Sequence, residues 1–464
     1  MADLIDLRRA WEPYRPSAAS PWDLKKAGHL YRRASFGATA AELEAAVREG
    51  PEATIDRLLH GGPGQEEFER ETDALVPSIA RANSGAQARA WYLYRLLYSP
   101  HPLRERLTLF WHNHFATSDR KVNNAGFMLG QYRLMYHHAL GSFRTLLQDI
   151  SHDPAMMVWL DTRDSRKGNP NENYARELME LFSLGIGHYT EKDVREGARA
   201  FTGWEIRGTE AVFNAAQHDD GGKTVLGQTG KWTGADVVRI CLEQPSAPGF
   251  LVGKLYRFLV SETAPPSREL LAPLAQQFRA SDYDFGALVK TVLRSNLFFS
   301  ADAYRARIKS PVDFALGIVR GLEGRIGSTA LAAALEGMGQ SLFYPPTVKG
   351  WDGGTAWLNG QTLLDRQNLA LALTSTEDPR FGARTDPAAL LRKHAKSGDD
   401  CVSFFLNLFL QGDVPAESRS RLLEYQRQAR RQQMPVYWTP QDIADHHVRT
   451  LCHLVLTLPE FQLS

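Results

Sequence analysis

The chain has 464 residues, of which 43% are hydrophobic and 23% charged, the composition of a globular protein large enough for an extensive core. Its 54 basic and 53 acidic side chains leave a formal net charge of +1, which argues against a nucleic-acid binder. Three widely spaced cysteines form neither a disulfide framework nor a CxxC motif. The N-terminus lacks an apolar signal-peptide core, and no run of about 18 apolar residues occurs, so we expect a cytoplasmic protein without a transmembrane segment.

Helical patterns follow one another along the chain after a Pro-containing lead-in over residues 1–22. No alternation of strand and helix patterns interrupts them, so we predict a single helical domain over 23–464, with 387–464 as its C-terminal helical part. Two segments rich in Gly and Trp, 205–233 and 340–368, read as loops, and the first could hold a hairpin. The predicted fold class is therefore all-α, a multi-helical globular bundle with at most a short β-hairpin.

Residues 169–204 concentrate polar, ionisable and aromatic side chains in one predicted helix–turn–helix. Asn169 suits an N-cap and Pro170 a first helical turn, and the glycines at 185 and 187 end the helix. Thr190, with an acid three residues later, predicts a capping box that opens the second helix.

One arc of the first helix in this segment carries Asn173, Arg176, Glu177 and Glu180, and apolar residues fill the opposite arc. An ion-pair ladder from Glu172 through Arg176 to Glu180 on a solvent-facing surface is one interpretation. The other is a polar pocket in which Glu177 and Glu180 bind a metal ion or transfer a proton, while Asn173 and Arg176 orient a ligand.

His112 and His114 in FWHNHF form the pair that most resembles a metal site. An HxH pair can chelate one ion when the backbone is extended. The predicted helix over 103–115 separates the two rings, placing His114 on the buried face and His112 about 160° away, on the exposed side. The alternative to a metal site is thus a buried, hydrogen-bonded His114 and an exposed His112.

Three further groups are candidates for ligand binding. His188 and Tyr189 lie at the turn of the predicted hairpin, where His188 could be an acid–base group or could bind the carbonyls that end the preceding helix. His218 and Asp219 lie in a loop that could bind a divalent metal or form an Asx-type turn. Trp351 and Asp352 could line a substrate site, or could simply flank the glycine turn that follows them.

The segment NENYARELMELFSLGIGHYTEKDVREGARAFTGW resembles the DUF1800 family, as do HLYRRASFGAT, FWHNHFATS, AQHDDGGKTVLG, KSPVDF and MGQSLFYPPTVKGWDGG. The likeness covers the chain from about His29 to Phe461. This bacterial family has no settled activity, so the resemblance implies no substrate. It does imply a partner, the product of a neighbouring gene with a sulfatase-like fold, and export signals that this sequence lacks.

A fainter resemblance links NPNENYAREL and EKDVREGAR to the haem peroxidases of the animal type, although Asn169 stands where that motif has its catalytic arginine. No GxSxG, HExxH, GxGxxG or P-loop pattern occurs. The sequence therefore predicts an enzyme, a metal-dependent oxidoreductase or hydrolase, with a polar cleft built around NENYAREL and FWHNHF. The alternatives are a non-catalytic binding or assembly factor for a partner protein and a haem-peroxidase-like oxidoreductase.

Overall fold

A computed structural model describes residues 9–263, 265–381, 384–394, 400–429, 434–435 and 437–464. Short helices linked by tight turns make up most of the N-terminal half. They are α1 Leu24–Ala34, α2 Ala40–Glu49, α3 Pro51–His60, α4 Gln65–Asp73, α5 Val76–Ala82, α6 Gly85–Tyr98, α7 Pro102–His114, α8 Asp119–Val122, α9 Ala125–His137, α10 Phe143–Ile150, α11 Pro154–Trp159, α12 Asn173–Glu177 and α13 Glu191–Ala200. A π-helical turn, Leu178–Ser183, continues α12.

The second half is also helical. Its helices are α14 Gly234–Glu243, α15 Ser246–Leu259, α16 Arg268–Ala280, α17 Phe285–Arg294, α18 Pro311–Gly321, α19 Ser328–Gly337, α20 Gly360–Thr374, α21 Pro387–His394, α22 Cys401–Leu410, α23 Ala416–Ala429 and α24 Pro440–Leu456. Short 3-10 turns cover Thr162–Asp164, Ala215–Gln217, Gly354–Trp357 and Pro459–Gln462. The all-α prediction is confirmed, and no helix among the described residues is long and apolar enough to cross a membrane.

The described strands form two hairpins, where the sequence predicted at most one. Strand β1 (Trp204–Arg207) pairs antiparallel with β2 (Glu210–Phe213), and β3 (Lys223–Val225) pairs antiparallel with β4 (Gln228–Gly230). Gly208 and Gly227 take positive φ angles of 64° and 82° at the two turns, so each turn has its own glycine. The predicted loop segment 205–233 therefore holds two hairpins, each with a glycine at its turn.

Most of the buried hydrophobic side chains of the described residues form one cluster, which extends from Ala10 to Phe461. The lead-in joins it, because Tyr14 is buried and its ring lies 4.8 Å from that of Phe299. Residues 1–8 of the lead-in lie outside the described residues. Helix α7 runs through this core, between α6, α9 and α3, and is thus enclosed on several sides.

The helix predicted from Asn169 and Pro170 begins later and ends differently. Its N-cap is Glu172, and Asn169 belongs to a turn in which its amide donates to the carbonyl of Arg166 (2.8 Å). The α-helical bonding stops at Glu177, because the following turn bonds with an i→i−5 pattern, as shown by the Leu184 amide donating to Met179 O (3.0 Å). The capping box at Thr190 is present as predicted.

Candidate functional site

The wide turn after α12 leaves two backbone carbonyls available to neighbouring helices. In an α-helix, the Leu181 carbonyl would accept from the amide of Gly185, but that amide donates to Met179 O (3.1 Å). Leu181 O instead accepts from Lys254 Nζ (2.8 Å), and Phe182 O lies 3.2 Å from His114 Nε2. Single π-helical turns occur often at functional sites. This segment therefore contributes main-chain oxygens to the site.

The half-buried Lys254 and the buried His114 form a pair beside these carbonyls. Lys254 Nζ lies 3.0 Å from His114 Nδ1. Because His114 Nε2 faces a carbonyl, which can only accept, the ring carries its proton on Nε2 and presents a lone pair on Nδ1 to the lysine. Burial lowers the pKa of Lys254 to about 7, and the charge of Arg257 acts in the same direction. Burial and the neighbouring Lys254 hold the pKa of His114 well below its usual value.

A cavity of about 270 Å³ opens between α7, α15 and the loop that contains Trp351. Lys254 and His114 lie in its wall together with several further polar side chains. These are Asn113, Arg257, Glu262, Arg307, Ser310, Asp313, Gln340, Lys349 and Asp352. The cavity thus combines an amine of lowered pKa with charged groups of both signs, the combination expected of a reactive site.

Asn113 fixes the loop that closes one side of this cavity. Its Oδ1 accepts from the amide of Trp351 (2.7 Å), and its Nδ2 donates to the Trp351 carbonyl (3.4 Å). The chain passes so close that a Cβ on Gly350, where φ is +84°, would stand 2.6 Å from the carbonyl oxygen of Asn113. Gly350 is therefore required for this contact, and the asparagine of FWHNHF anchors the loop.

The rings of His112 and His114, the predicted metal pair, point in different directions, as expected for residues two apart on a helix. The sequence also placed His112 on an exposed face, and this is wrong: its side chain is 0% exposed. The loop before Trp351 covers it, so that His112 Nε2 accepts from the amide of Phe343 (3.0 Å) and its ring lies 5.5 Å from that of Trp351. Burial lowers the pKa of His112 to about 3, which keeps the ring neutral.

His218 and Asp219 engage other groups. His218 Nδ1 lies 2.9 Å from the Thr202 carbonyl, and Asp219 forms an ion pair with Arg199, whose Nε donates to Oδ2 (2.8 Å). The Arg199 hydrogen bonds lower the pKa of Asp219 to about 2. Among the described residues no group of three or more His, Cys, Asp or Glu side chains could hold a metal ion. The predicted ligands are thus not brought together.

The polar arc of α12 forms a surface network. Arg176 bonds Glu172 (3.2 Å) and both carboxylate oxygens of Glu191 (2.7 and 2.8 Å), so the predicted ladder to Glu180 is replaced by a link to the next helix. Glu180 instead accepts from the hydroxyl of Tyr189 (2.6 Å). Arg176 and Glu180 therefore pair near the surface, but with Glu191 and Tyr189 rather than with each other.

The remaining predicted residues lie in three places. Asn173 is exposed and donates to Asp161 (3.2 Å), and His188 is exposed in a separate groove beside Arg268. Glu177 is half-buried: burial raises its pKa, Glu180 adds to the effect, and the charges of Arg176 and Lys349 oppose it. Trp351 and Asp352 line the cavity directly, and their role in substrate binding stays a prediction.

Sequence reasoning missed Lys254, the charged residue closest to His114. A signal was present: Lys254 lies four residues after Phe250 and four before Phe258, so on the helix SAPGFLVGKLYRFL it falls between two phenylalanines. A lone lysine in that position must either reach solvent or be buried with partners. The acids and arginines of the cavity come from segments far apart in the chain, and no local pattern marks them.

The model of the family described as "Protein of unknown function (DUF1800)" matches residues 29–463. The chain belongs to the DUF1800 family. No curated protein and no solved structure matches it. The family match covers FWHNHF, α15 and the loop of Trp351, so every wall of the cavity in this DUF1800 protein belongs to the matched region.

Proposed function

We propose that this protein is an enzyme in which the Lys254 amine reacts with a carbonyl group of the substrate. The observation that carries the proposal is the contact of Lys254 Nζ with His114 Nδ1 (3.0 Å) and Leu181 O (2.8 Å) in the wall of the cavity. A neutral amine has two hydrogens, and these two acceptors bind both. The nitrogen lone pair is then free to attack.

The proposed step balances without a cofactor. The amine nitrogen of Lys254 forms a bond to the carbonyl carbon, and His114 Nδ1 accepts a proton from the nitrogen and returns it to the carbonyl oxygen. The oxygen then leaves as water, carrying both amine protons, and an imine remains. A lysine whose pKa is lowered by burial is the usual nucleophile for such chemistry.

The test is reductive trapping with propionaldehyde and sodium cyanoborohydride at pH 7, followed by peptide mass mapping. With a pKa of about 7, Lys254 has a neutral fraction roughly a thousandfold larger than that of an ordinary exposed lysine. Lys290, exposed on α17, is the internal control. Preferential modification of Lys254 supports the proposal. Equal or slower modification than at Lys290 contradicts it and favours the binding or assembly factor.

The metal-dependent and haem-dependent mechanisms stay predictions, and this proposal does not use them. A cytoplasmic location is supported by the three free, buried cysteines, Cys241, Cys401 and Cys452. Cell fractionation of the producing organism tests this location. Co-purification from the same cells tests the predicted partner of sulfatase-like fold.

A further inference from the structure

Three buried arginines meet behind the cavity. Arg33 comes from α1, Arg106 from α7 and Arg307 from the segment before α18, and their exposed fractions are 0%, 1% and 8%. The guanidinium carbons of Arg106 and Arg307 lie 5.1 and 5.2 Å from the centre of the Phe258 ring. One aromatic ring of the cavity wall thus contacts two of the three cations.

The carboxylates near these arginines do not balance their charge. Within the described residues, Asp313 accepts from Arg106, and Glu262 approaches Arg307 only to 3.5 Å. Glu262 also accepts from the amide of Ile308 (2.6 Å). Three cations therefore face two anions. Burial lowers the pKa of Arg33, and its neighbours Arg307 and Arg106 lower it further, as expected of an excess of positive charge.

Each of the three guanidinium groups also has nitrogens without a hydrogen-bond partner in the part of the chain that the structure describes. They are Nε and Nη1 of Arg33, Nε and Nη2 of Arg106, and Nε and Nη1 of Arg307. A buried charged donor without an acceptor is costly. These nitrogens are enclosed by protein, so an anion in the cavity would offset their charge through space rather than by hydrogen bonds to these atoms.

Arg307 brings this unbalanced charge to the cavity surface. It lines the cavity together with Ser310, from the same chain segment before α18, and with Gln340, which follows α19. Gln340 accepts from the amide of Val312 through Oε1 (3.0 Å), so its amide group is the end available to a ligand. The edge of a guanidinium matches the two oxygens of a carboxylate or phosphate.

We propose that this wall of the cavity binds an oxyanion of the ligand, a carboxylate or phosphate, through Arg307, with Arg33 and Arg106 supplying the field that attracts it. The substrate class that follows rests on the proposed function: it is a carbonyl compound that also has a carboxylate or phosphate group. The anion site itself depends only on the arginines.

Thermal unfolding tests the anion site. The wild-type protein is melted in sodium chloride, sodium phosphate and sodium acetate at matched ionic strength and pH. We expect phosphate or acetate to raise the melting temperature in a saturable, concentration-dependent way, because an anion that binds only the folded state stabilises it. A larger effect of phosphate assigns a phosphoryl group, and a larger effect of acetate assigns a carboxylate. Equal melting in all three salts overturns the proposal.

Two variants and a control locate the site. Arg307→Met should lower the affinity for the oxyanion by at least tenfold. Arg307→Lys keeps the charge but loses the planar edge of the guanidinium, so it should bind the oxyanion with intermediate affinity. Arg421→Met, at an exposed arginine paired with Glu417 on α23, should respond as the wild type does. An unchanged response in both Arg307 variants overturns the assignment. If Arg307→Met fails to fold, Arg307→Lys and the wild-type salt series still decide.

The two proposals fail separately. Lys254→Met should remove the fast-reacting trapping site and leave only slow modification at exposed lysines such as Lys290. It should keep a saturable oxyanion response, because Arg307 is intact. Loss of trapping preference at Lys254 in the wild type would contradict the carbonyl chemistry alone. Absence of an oxyanion response in the wild type would contradict the anion site alone.

Discussion

Replacing Lys254 with Met should change how the stability of the protein depends on pH. The pKa of this amine is about 7 in the folded protein and 10.5 in an ordinary environment. Between these values the unfolded chain carries a proton that the folded protein lacks, so raising the pH stabilises the folded wild type. The linkage slope for one proton is about 1.4 kcal/mol per pH unit.

Over the whole window the shift corresponds to about 5 kcal/mol as an upper bound. Lys254→Met removes the titration, so the wild type should gain stability relative to the variant as pH rises from 7.5 to 9.5, by roughly 2–3 kcal/mol. The lost hydrogen bonds to Leu181 O and His114 Nδ1 add an offset that does not depend on pH. The slope of the difference therefore isolates the amine.

The assay is urea unfolding at pH 6.5, 7.5, 8.5 and 9.5, with Lys290→Met as the matched control at an exposed lysine. All other titrations are shared and cancel in the difference between wild type and variant. We expect a rising difference for Lys254→Met and a flat one for Lys290→Met. Parallel curves for wild type and Lys254→Met would refute the lowered pKa and, with it, the neutral nucleophile.

Three further substitutions test other parts of the structure. Asp153 caps α11, and burial raises its pKa to about 7. The protonated carboxyl therefore contributes stability that is fully present below pH 4 and is lost as the pH rises through 7. In urea unfolding, Asp153→Asn should stabilise the protein at pH 8 by up to about 4 kcal/mol and have little effect at pH 4. Asn113→Ala should lower the free energy of unfolding by about 1–3 kcal/mol, because the main chain of Trp351 loses both of its hydrogen bonds to Asn113. Limited proteolysis should then cut the loop of Trp351 faster than in the wild type, and unchanged cleavage would contradict the role of Asn113 as its anchor. Tyr189→Phe should cost under about 1 kcal/mol at the part-exposed bond to Glu180, and a larger loss by the same unfolding assay would show that the surface interpretation is wrong.

Local patterns along the sequence predicted the helices well. Helices make up most of the described chain, as predicted, and the capping box predicted at Thr190 is present. Capping and periodicity depend on residues within a few positions of each other, so one chain contains the information. The likeness of the FWHNHF and NENYAREL segments to the DUF1800 family was also readable from the sequence alone, and the family match confirms it.

Only the tertiary structure decided which groups face the cavity. His112 is buried because a loop some 230 positions later packs on it, and the π-helical turn supplies carbonyls to Lys254 because α15 lies beside it. The side chains singled out in α12 pair mainly at the surface, whereas the main chain of the turn that follows contacts the reactive pair. The sequence by itself determined the helices and the family, since these depend on short-range patterns. Burial, the pKa of Lys254 and the unbalanced arginines depend on contacts between distant segments, and only the folded chain determines them.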